Sequence, residues 1–323
     1  MELRYIKAVN NALADAMAED ETVVLLGEDV GEAGGAFGAS RELRQRFGKH
    51  RVLDTPISEA ALAGAAVGAA LSGLRPVVEI MFMDFTTLVM DAMVNQAAKA
   101  RFMFGGQRSV PMVLRTPHGG GLGAGPQHSQ CLEAWFAHVP GLKVVCPSDP
   151  ATAYGLLRAA IRDPDPVVVV ENKALYGMKA DVSDNLPVLP IGKAATLVEG
   201  NDVTIAAYGA TVHAALRAAR DMASEGIGCE VLDLRSLQPW DEAAVISSLE
   251  KTHRLVIAHE AVEAFGVGAE IAARIADVGF DDLDAPIVRV GAPFMPVPFS
   301  GALEKIYVPD AASIKAAIRR VTA

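Results

Sequence analysis

Short runs rich in β-branched residues alternate with longer helical stretches along almost the whole chain. The first runs are Thr22–Gly27, Pro76–Met81, Val110–Arg115, Leu142–Cys146 and Pro166–Glu171. Between them, Tyr5–Ala18, Ser58–Ser72, Phe85–Phe104, Ser129–His138 and Pro150–Arg162 carry a helical pattern. Strands that are apolar throughout are buried on both faces, and strands separated by helices pair in parallel. Periodicity stops over residues 186–201, where Pro, Gly and Lys accumulate. It resumes with strands Asp202–Tyr208, Cys229–Asp233, Arg254–His259 and Pro286–Val290, and helices Thr211–Ser224, Asp241–Lys251, Gly266–Asp277 and Ala311–Val321. The pattern predicts an α/β protein with two doubly wound open-sheet domains, 1–185 and 202–323, joined by a linker at 186–201.

Composition narrows the function classes. At 323 residues and 51% hydrophobic content, the chain has ample material for two cores. Its net charge of −10 disfavours a general nucleic-acid or anionic-membrane binder. Cys131, Cys146 and Cys229 are far apart and form no CxxC, which argues against a zinc site or a disulfide framework and for a reducing, cytoplasmic setting. The opening Met1-Glu2-Leu3-Arg4-Tyr5 lacks the apolar core of a signal peptide. The longest apolar run, Ala60–Leu71, falls short of the ~20 residues that span a bilayer.

Active sites of open α/β sheets lie beyond the carboxyl ends of strands. Three polar segments fall there: Gly27-Glu28-Asp29-Val30-Gly31, Asp54-Thr55-Pro56-Ile57-Ser58-Glu59 and the glycine-rich His118–Gln130. Ser58 is a candidate N-cap, which places Glu59 in the first helical turn. A Glu there can simply complement the helix dipole. Because Ala60–Leu71 has almost no polar atoms, the helix is expected to be buried, and a desolvated carboxylate at its mouth is suited to sharing a proton. Gly64 and Gly68, flanked by Ala65 and Ala69, suit close approach of a second helix.

Residues Gly119–Ala124 match GxGxxG/A, but Pro117 and Pro126 bracket them and no helix starts at the glycines, so a dinucleotide site is not expected. The loop instead presents Gln127 and His128. A histidine after such a loop, at a helix start, is an acid–base candidate. His138, His213, His253 and His259 show no partner spacing.

Together these segments resemble the beta subunit of the thiamine-diphosphate-dependent first component of 2-oxo acid dehydrogenase complexes, a family that includes pyruvate, branched-chain 2-oxo acid and acetoin dehydrogenases. The resemblance rests on the segments 27–31 and 54–59, on Gln127-His128-Ser129-Gln130, and on Ala134-Trp135-Phe136-Ala137-His138-Val139-Pro140-Gly141-Leu142-Lys143-Val144-Val145. It continues through Ala159-Ala160-Ile161-Arg162-Asp163, Asp233-Leu234-Arg235-Ser236-Leu237 and Pro286 to Pro298, nearly the whole chain.

The resemblance implies a transketolase-like pyrimidine-binding domain followed by a transketolase C-terminal domain. Glu59 then bonds the aminopyrimidine of the cofactor, Phe85 packs on that ring, Ile57 lies near it and Glu28 joins the acidic relay. His128 is expected to move protons on the thiazolium side. Backbone carbonyls of Met112, Ala160, Ile161, Asp163 and Asp165 match a potassium site of related proteins; Asp165 stands where Asn is frequent. The family's metal-diphosphate signature, Gly-Asp-Gly followed by Asn, is missing, since no Gly-Asp-Gly occurs in the chain. Magnesium and diphosphate are therefore assigned to an alpha subunit in an α2β2 heterotetramer, with the second domain docking a lipoyl-bearing acyltransferase core. Leu88 stands where Gln is common in pyruvate enzymes, so acetoin cleavage is carried beside 2-oxo acid decarboxylation. A non-catalytic assembly subunit and a self-sufficient nucleotide binder using the glycine loop are the readings from other classes.

Overall fold

The computed structural model describes residues 1–323, which divide into two compact units: Met1–His118 with Trp135–Ile191, and Gly119–Ala134 with Gly192–Ala323.

In unit one, β1 (Glu2–Arg4) leads into α1 (Tyr5–Glu19). There follow β2 (Val23–Gly27), α2 (Leu43–Phe47), β3 (Val52–Asp54), α3 (Glu59–Leu71), β4 (Arg75–Glu79), α4 (Ala98–Met103) and β5 (Val113–His118). The unit boundary falls inside the short helix α5 (Glu133–Ala137). Unit one closes with β6 (Lys143–Val145), α6 (Pro150–Arg162), β7 (Val167–Asn172) and β8 (Lys179–Asp181), the last antiparallel to β1. The main strands of this unit run in the order β6-β7-β5-β4-β2-β3, all parallel. Val167 to Val170 are buried on both faces, as their unbroken β-branched run requires. Helix α6 starts on a capping box between Asp149 and Thr152, and its Tyr154 donates to Asp15 of α1 at 2.9 Å. The chain leaves β2 first towards β3 and then returns to its other side at β4. The switch point of the sheet is therefore between β2 and β4, where Glu28 and Glu79 stand at the carboxyl ends.

Unit two continues through β9 (Ala195–Val198), β10 (Val203–Ala207), α7 (Thr211–Ala223), β11 (Cys229–Asp233), β12 (Ser236–Gln238), α8 (Glu242–Thr252) and β13 (Leu255–Val262). It ends with α9 (Val267–Val278), β14 (Val288–Ala292), α10 (Gly301–Tyr307) and α11 (Ala311–Thr322). Its sheet order is β14-β13-β10-β11-β9, parallel except for β9. Val212, Ala215, Ala218 and Met222 of α7 join Ile314, Ala317 and Ile318 of α11 in one core. Opposite, Thr204 bonds Ser248 and Thr252 of α8, each at 2.6 Å, so the polar groups of that buried face satisfy one another. No helix is long and apolar enough to cross a membrane.

The glycine loop and the residues up to Ala134 lie within the predicted domain 1–185 and pack with unit two. Three expectations need correction. Within the stretch read as a linker, Ala195–Val198 is an edge strand paired to β11. The single helix expected over 85–104 is broken into a 3₁₀ stretch (Met83–Val89), a π-helical stretch (Asp91–Ala97) and α4. Thr86 and Thr87 donate to the carbonyls of Met83 and Asp84, three residues back, which tightens the first turns. The helix expected from Ser129 begins only at Glu133, so His128 sits in a turn.

Candidate active site

The carboxyl end of β2 turns sharply at Glu28 and Asp29, and Asp54 at the end of β3 fixes that turn. It accepts from the Gly31 N–H at 2.5 Å and from Arg44 at 2.5 Å. A Cβ on Gly31 would lie 2.5 Å from the Asp54 carboxylate and would displace it or Arg44. The Thr55 N–H donates to the Gly27 carbonyl at 3.0 Å, holding the 54–59 segment beside Glu28.

Glu28 and Glu59 are each 7% exposed. Ser58 does not cap α3 through its side chain; its backbone N–H donates to Glu28 instead. The Oε1 atom of Glu28 is buried without a partner. Burial first, and the neighbouring Glu59 carboxylate second, hold the Glu28 carboxyl above its ordinary range, against the pull of the Ser58 N–H. Glu28 therefore holds a proton more readily than an ordinary carboxyl does. Ile57, next to Ser58, is 83% exposed, and the half-buried Phe85 ring is braced edge-on by Phe82 at 5.7 Å. Two neighbouring carboxyls with the exposed Ile57 next to them can meet a flat, protonatable heteroaromatic ring.

A raised carboxyl pKa also makes a prediction about stability. The protonated form folds best, so Glu28 weakens folding as pH climbs above the ordinary carboxylate range of about 4. Glu28→Gln is expected to raise the melting temperature at pH 7, with the gain fading near pH 4. Thermal scans at both values check this; a lower melting temperature at pH 7 would contradict it.

One buried group escaped the sequence reading. Arg115, in the middle of β5, forks onto Glu171 at 2.7 and 2.8 Å and reaches Glu79 at 2.7 Å. Tyr176 donates to Glu171, and the Ala36 N–H to Glu79. The triad joins β4, β5 and β7 and, through the Ala36 N–H, ties the loop after Glu28 to β4. Its signal was one charged residue within or at the end of each of three otherwise buried strands.

Helix α3 is not wholly buried as expected. Leu62, Ala63, Ala66 and Val67 face the core, while Ala60, Ala61, Gly64, Ala65 and Gly68 are exposed, and a Cβ on either glycine would meet nothing within 4 Å. The turn named for potassium is occupied differently. Arg75 donates to the Ile161 and Asp163 carbonyls at 2.9 and 3.1 Å, and the Met112 carbonyl accepts from Val167. Lys143 bonds the Asp163 carboxylate and Arg101 that of Asp165. With a guanidinium on two of its carbonyls, the turn in this arrangement does not fit potassium, and Ala160 contributes only a carbonyl accepting from the Asp163 N–H.

In unit two, His128 is half-buried and its N–H donates to the Gly125 carbonyl at 3.3 Å. The stretch after it, Ser129–Leu132, lines a cavity of about 310 Å³ together with Glu260, Met295 and Tyr307. The N–H groups of Gly120, Gly121 and Gly123, which an anion-binding loop would turn to a phosphate, donate to Glu260 and Glu304. The diphosphate of a cofactor therefore has no cradle in this loop.

A two-unit chain of this build is a transketolase-like protein. Residues 1–179 match the transketolase pyrimidine-binding domain and residues 192–314 the transketolase C-terminal domain. A solved split-gene transketolase, described as an inactive beta4 tetramer, superposes with a TM-score of 0.80 over 98% of this chain and 97% of that one, at 24% identity, a likeness of fold. The chain is 51% identical to the beta subunit of acetoin:2,6-dichlorophenolindophenol oxidoreductase of Bacillus subtilis (strain 168), over 94% of this chain and 92% of that protein. It is 48% identical to the mitochondrial pyruvate dehydrogenase E1 component subunit beta-2 of Oryza sativa subsp. japonica, over 99% and 86%. The Rhizobium meliloti (strain 1021) pyruvate dehydrogenase E1 beta subunit is 45% identical over 97% and 69%. The chain belongs to the family of beta subunits of the first, E1 component of 2-oxo acid dehydrogenases.

Proposed function

We propose that this chain, with an alpha subunit, decarboxylates a 2-oxo acid oxidatively and delivers the acyl group to a lipoyl carrier. The carrying observation is the neighbouring Glu28 and Glu59 carboxylates at the switch point, with one buried oxygen of Glu28 unsatisfied and the exposed Ile57 next to Glu59's helix start. Thiamine diphosphate, when bound, supplies a carbon acid that serves as nucleophile and electron sink. Glu59 is the residue placed to hold a proton at the aminopyrimidine nitrogen. Glu28, with its raised proton affinity, shares that proton. Phe85 and Ile57 exclude water from the ring faces. His128, in the turn after the glycine loop, moves a proton on the reacting side.

Magnesium and the diphosphate fall to the alpha subunit in this reading. Its support is the missing Gly-Asp-Gly and a glycine loop whose N–H groups are already taken. The open small-residue face of α3 suits a close helix contact in an α2β2 heterotetramer. Unit two is the assigned dock for the lipoyl-bearing core, in a cytoplasmic setting.

Acetoin cleavage is the second reading. It is favoured by Leu88, 57% exposed, and by the likeness to the Bacillus protein. Co-expression with an alpha chain carrying Gly-Asp-Gly and Asn, followed by assays with pyruvate, branched-chain 2-oxo acids and acetoin, tests both. Turnover with a 2-oxo acid supports the first reading; turnover with acetoin alone replaces it by the second. A purified pair inert on all of them, though it binds cofactor, would point to an assembly subunit.

A further inference from the structure

The glycine loop is held by a carboxylate remote in sequence. Gly119, Gly121, Gly123 and Gly125 all have positive φ, between 67° and 92°. Alternating handedness turns successive N–H groups to one side and makes a concave anion-binding nest. That nest contains a side chain of the same unit. Glu304, on α10 and 4% exposed, accepts from Gly121 at 2.7 Å through Oε1 and from Gly123 at 2.9 Å through Oε2. Glu260, at 5% exposure, accepts from Gly120 at 2.5 Å. The loop is tight against its supports: a Cβ on Gly125 would lie 2.1 Å from the Phe299 ring. From Gly125 the chain makes one turn and reaches His128.

We propose that Glu304 is a positioning residue for His128. Its carboxylate fills the nest as a built-in anion and thereby fixes one conformation of a loop that would otherwise have many. Five glycines among seven residues leave the free loop with a large conformational entropy. A buried carboxylate is costly unless charge-assisted hydrogen bonds satisfy it, so loop and carboxylate each need the other. The order of the loop is passed on through the Gly125 carbonyl to the His128 N–H, and hence to the imidazole. Gln would not serve equally, because its NH2 group would face one of the two N–H donors.

The proposal rests on the acid–base reading of His128, and the test separates the two. In the holoenzyme, Glu304→Ala is expected to lower kcat by about ten- to a hundredfold, the scale of a small misplacement of a reacting group. KM should change little. Formate should restore part of kcat saturably in this variant, and not in His128→Ala. Glu304→Gln should fall between the two and remain folded if the alanine variant does not. In parallel, amide hydrogen exchange at Gly121 and Gly123 should be slow in the wild type, fast in Glu304→Ala and slow again with formate. Unchanged exchange in the variants overturns the clamp. Fast exchange with unchanged kcat, where His128→Ala is inactive, overturns the positioning role. So does a loss of kcat that formate does not touch although it restores slow exchange. If His128→Ala keeps full turnover, the reading of His128 fails, while the exchange rates still decide the clamp.

Discussion

Glu59→Gln is expected to lower turnover of the assembled enzyme by about 10²–10⁴-fold, the usual range for losing a positioned acid–base group. The melting temperature should stay close to that of the wild type. Glutamine has the same shape and can still meet a ring nitrogen, but it cannot hold an exchangeable proton there. What it loses structurally is a first-turn charge worth about 0.3–1 kcal/mol to the helix. Relief of the repulsion from the buried Glu28 offsets that loss. Steady-state kinetics on the reconstituted pair, with circular dichroism on the same samples, reads both numbers. Wild-type activity in a correctly assembled Glu59→Gln complex would remove this residue from the chemistry.

Arg115→Met is expected to be the most destabilising single change in unit one, costing about 3–5 kcal/mol. Arg115, Glu79 and Glu171 are 2%, 6% and 1% exposed, so its removal strands two buried carboxylates. Burial already holds the Glu79 carboxyl above its ordinary range, even against the attraction of Arg115. Without the guanidinium, the stranded carboxyls would take up protons more readily. Protonation then favours the folded variant, so the deficit should shrink as pH falls from 7 towards 5. Urea titrations at both pH values measure it. A deficit below about 1 kcal/mol, or one independent of pH, would mean that water reaches the triad. Replacing all three residues together by apolar ones of similar volume should recover much of the loss.

The two predictions draw on parts of the molecule that were unequally visible from sequence. The strands of unit one were legible because runs such as Val167–Val170 leave few alternatives, and Glu28 and Glu59 were legible because each directly follows a strand end or opens a helix. Contacts remote in sequence were not. The partners of Arg115 lie 36 and 56 residues away, and Glu304 grips glycines more than 180 residues before it. The Glu260 and Glu304 contacts hold the glycine loop to unit two, which no local pattern in the sequence could show. The hydroxyl back-bonds of Thr86 and Thr87 broke a helix whose apolar spacing looked continuous. Edge strand β9 was hidden because only one neighbour pairs with it and three of its four residues are exposed.

In the proposed function this chain holds the ring end of thiamine diphosphate and no more. Calorimetric titration of the cofactor with magnesium into the isolated chain, the isolated alpha subunit and their mixture tests it directly. Saturable tight binding is expected only in the mixture, and weakened there by Glu59→Ala. Tight, magnesium-dependent binding by this chain alone would show that it holds the diphosphate end as well.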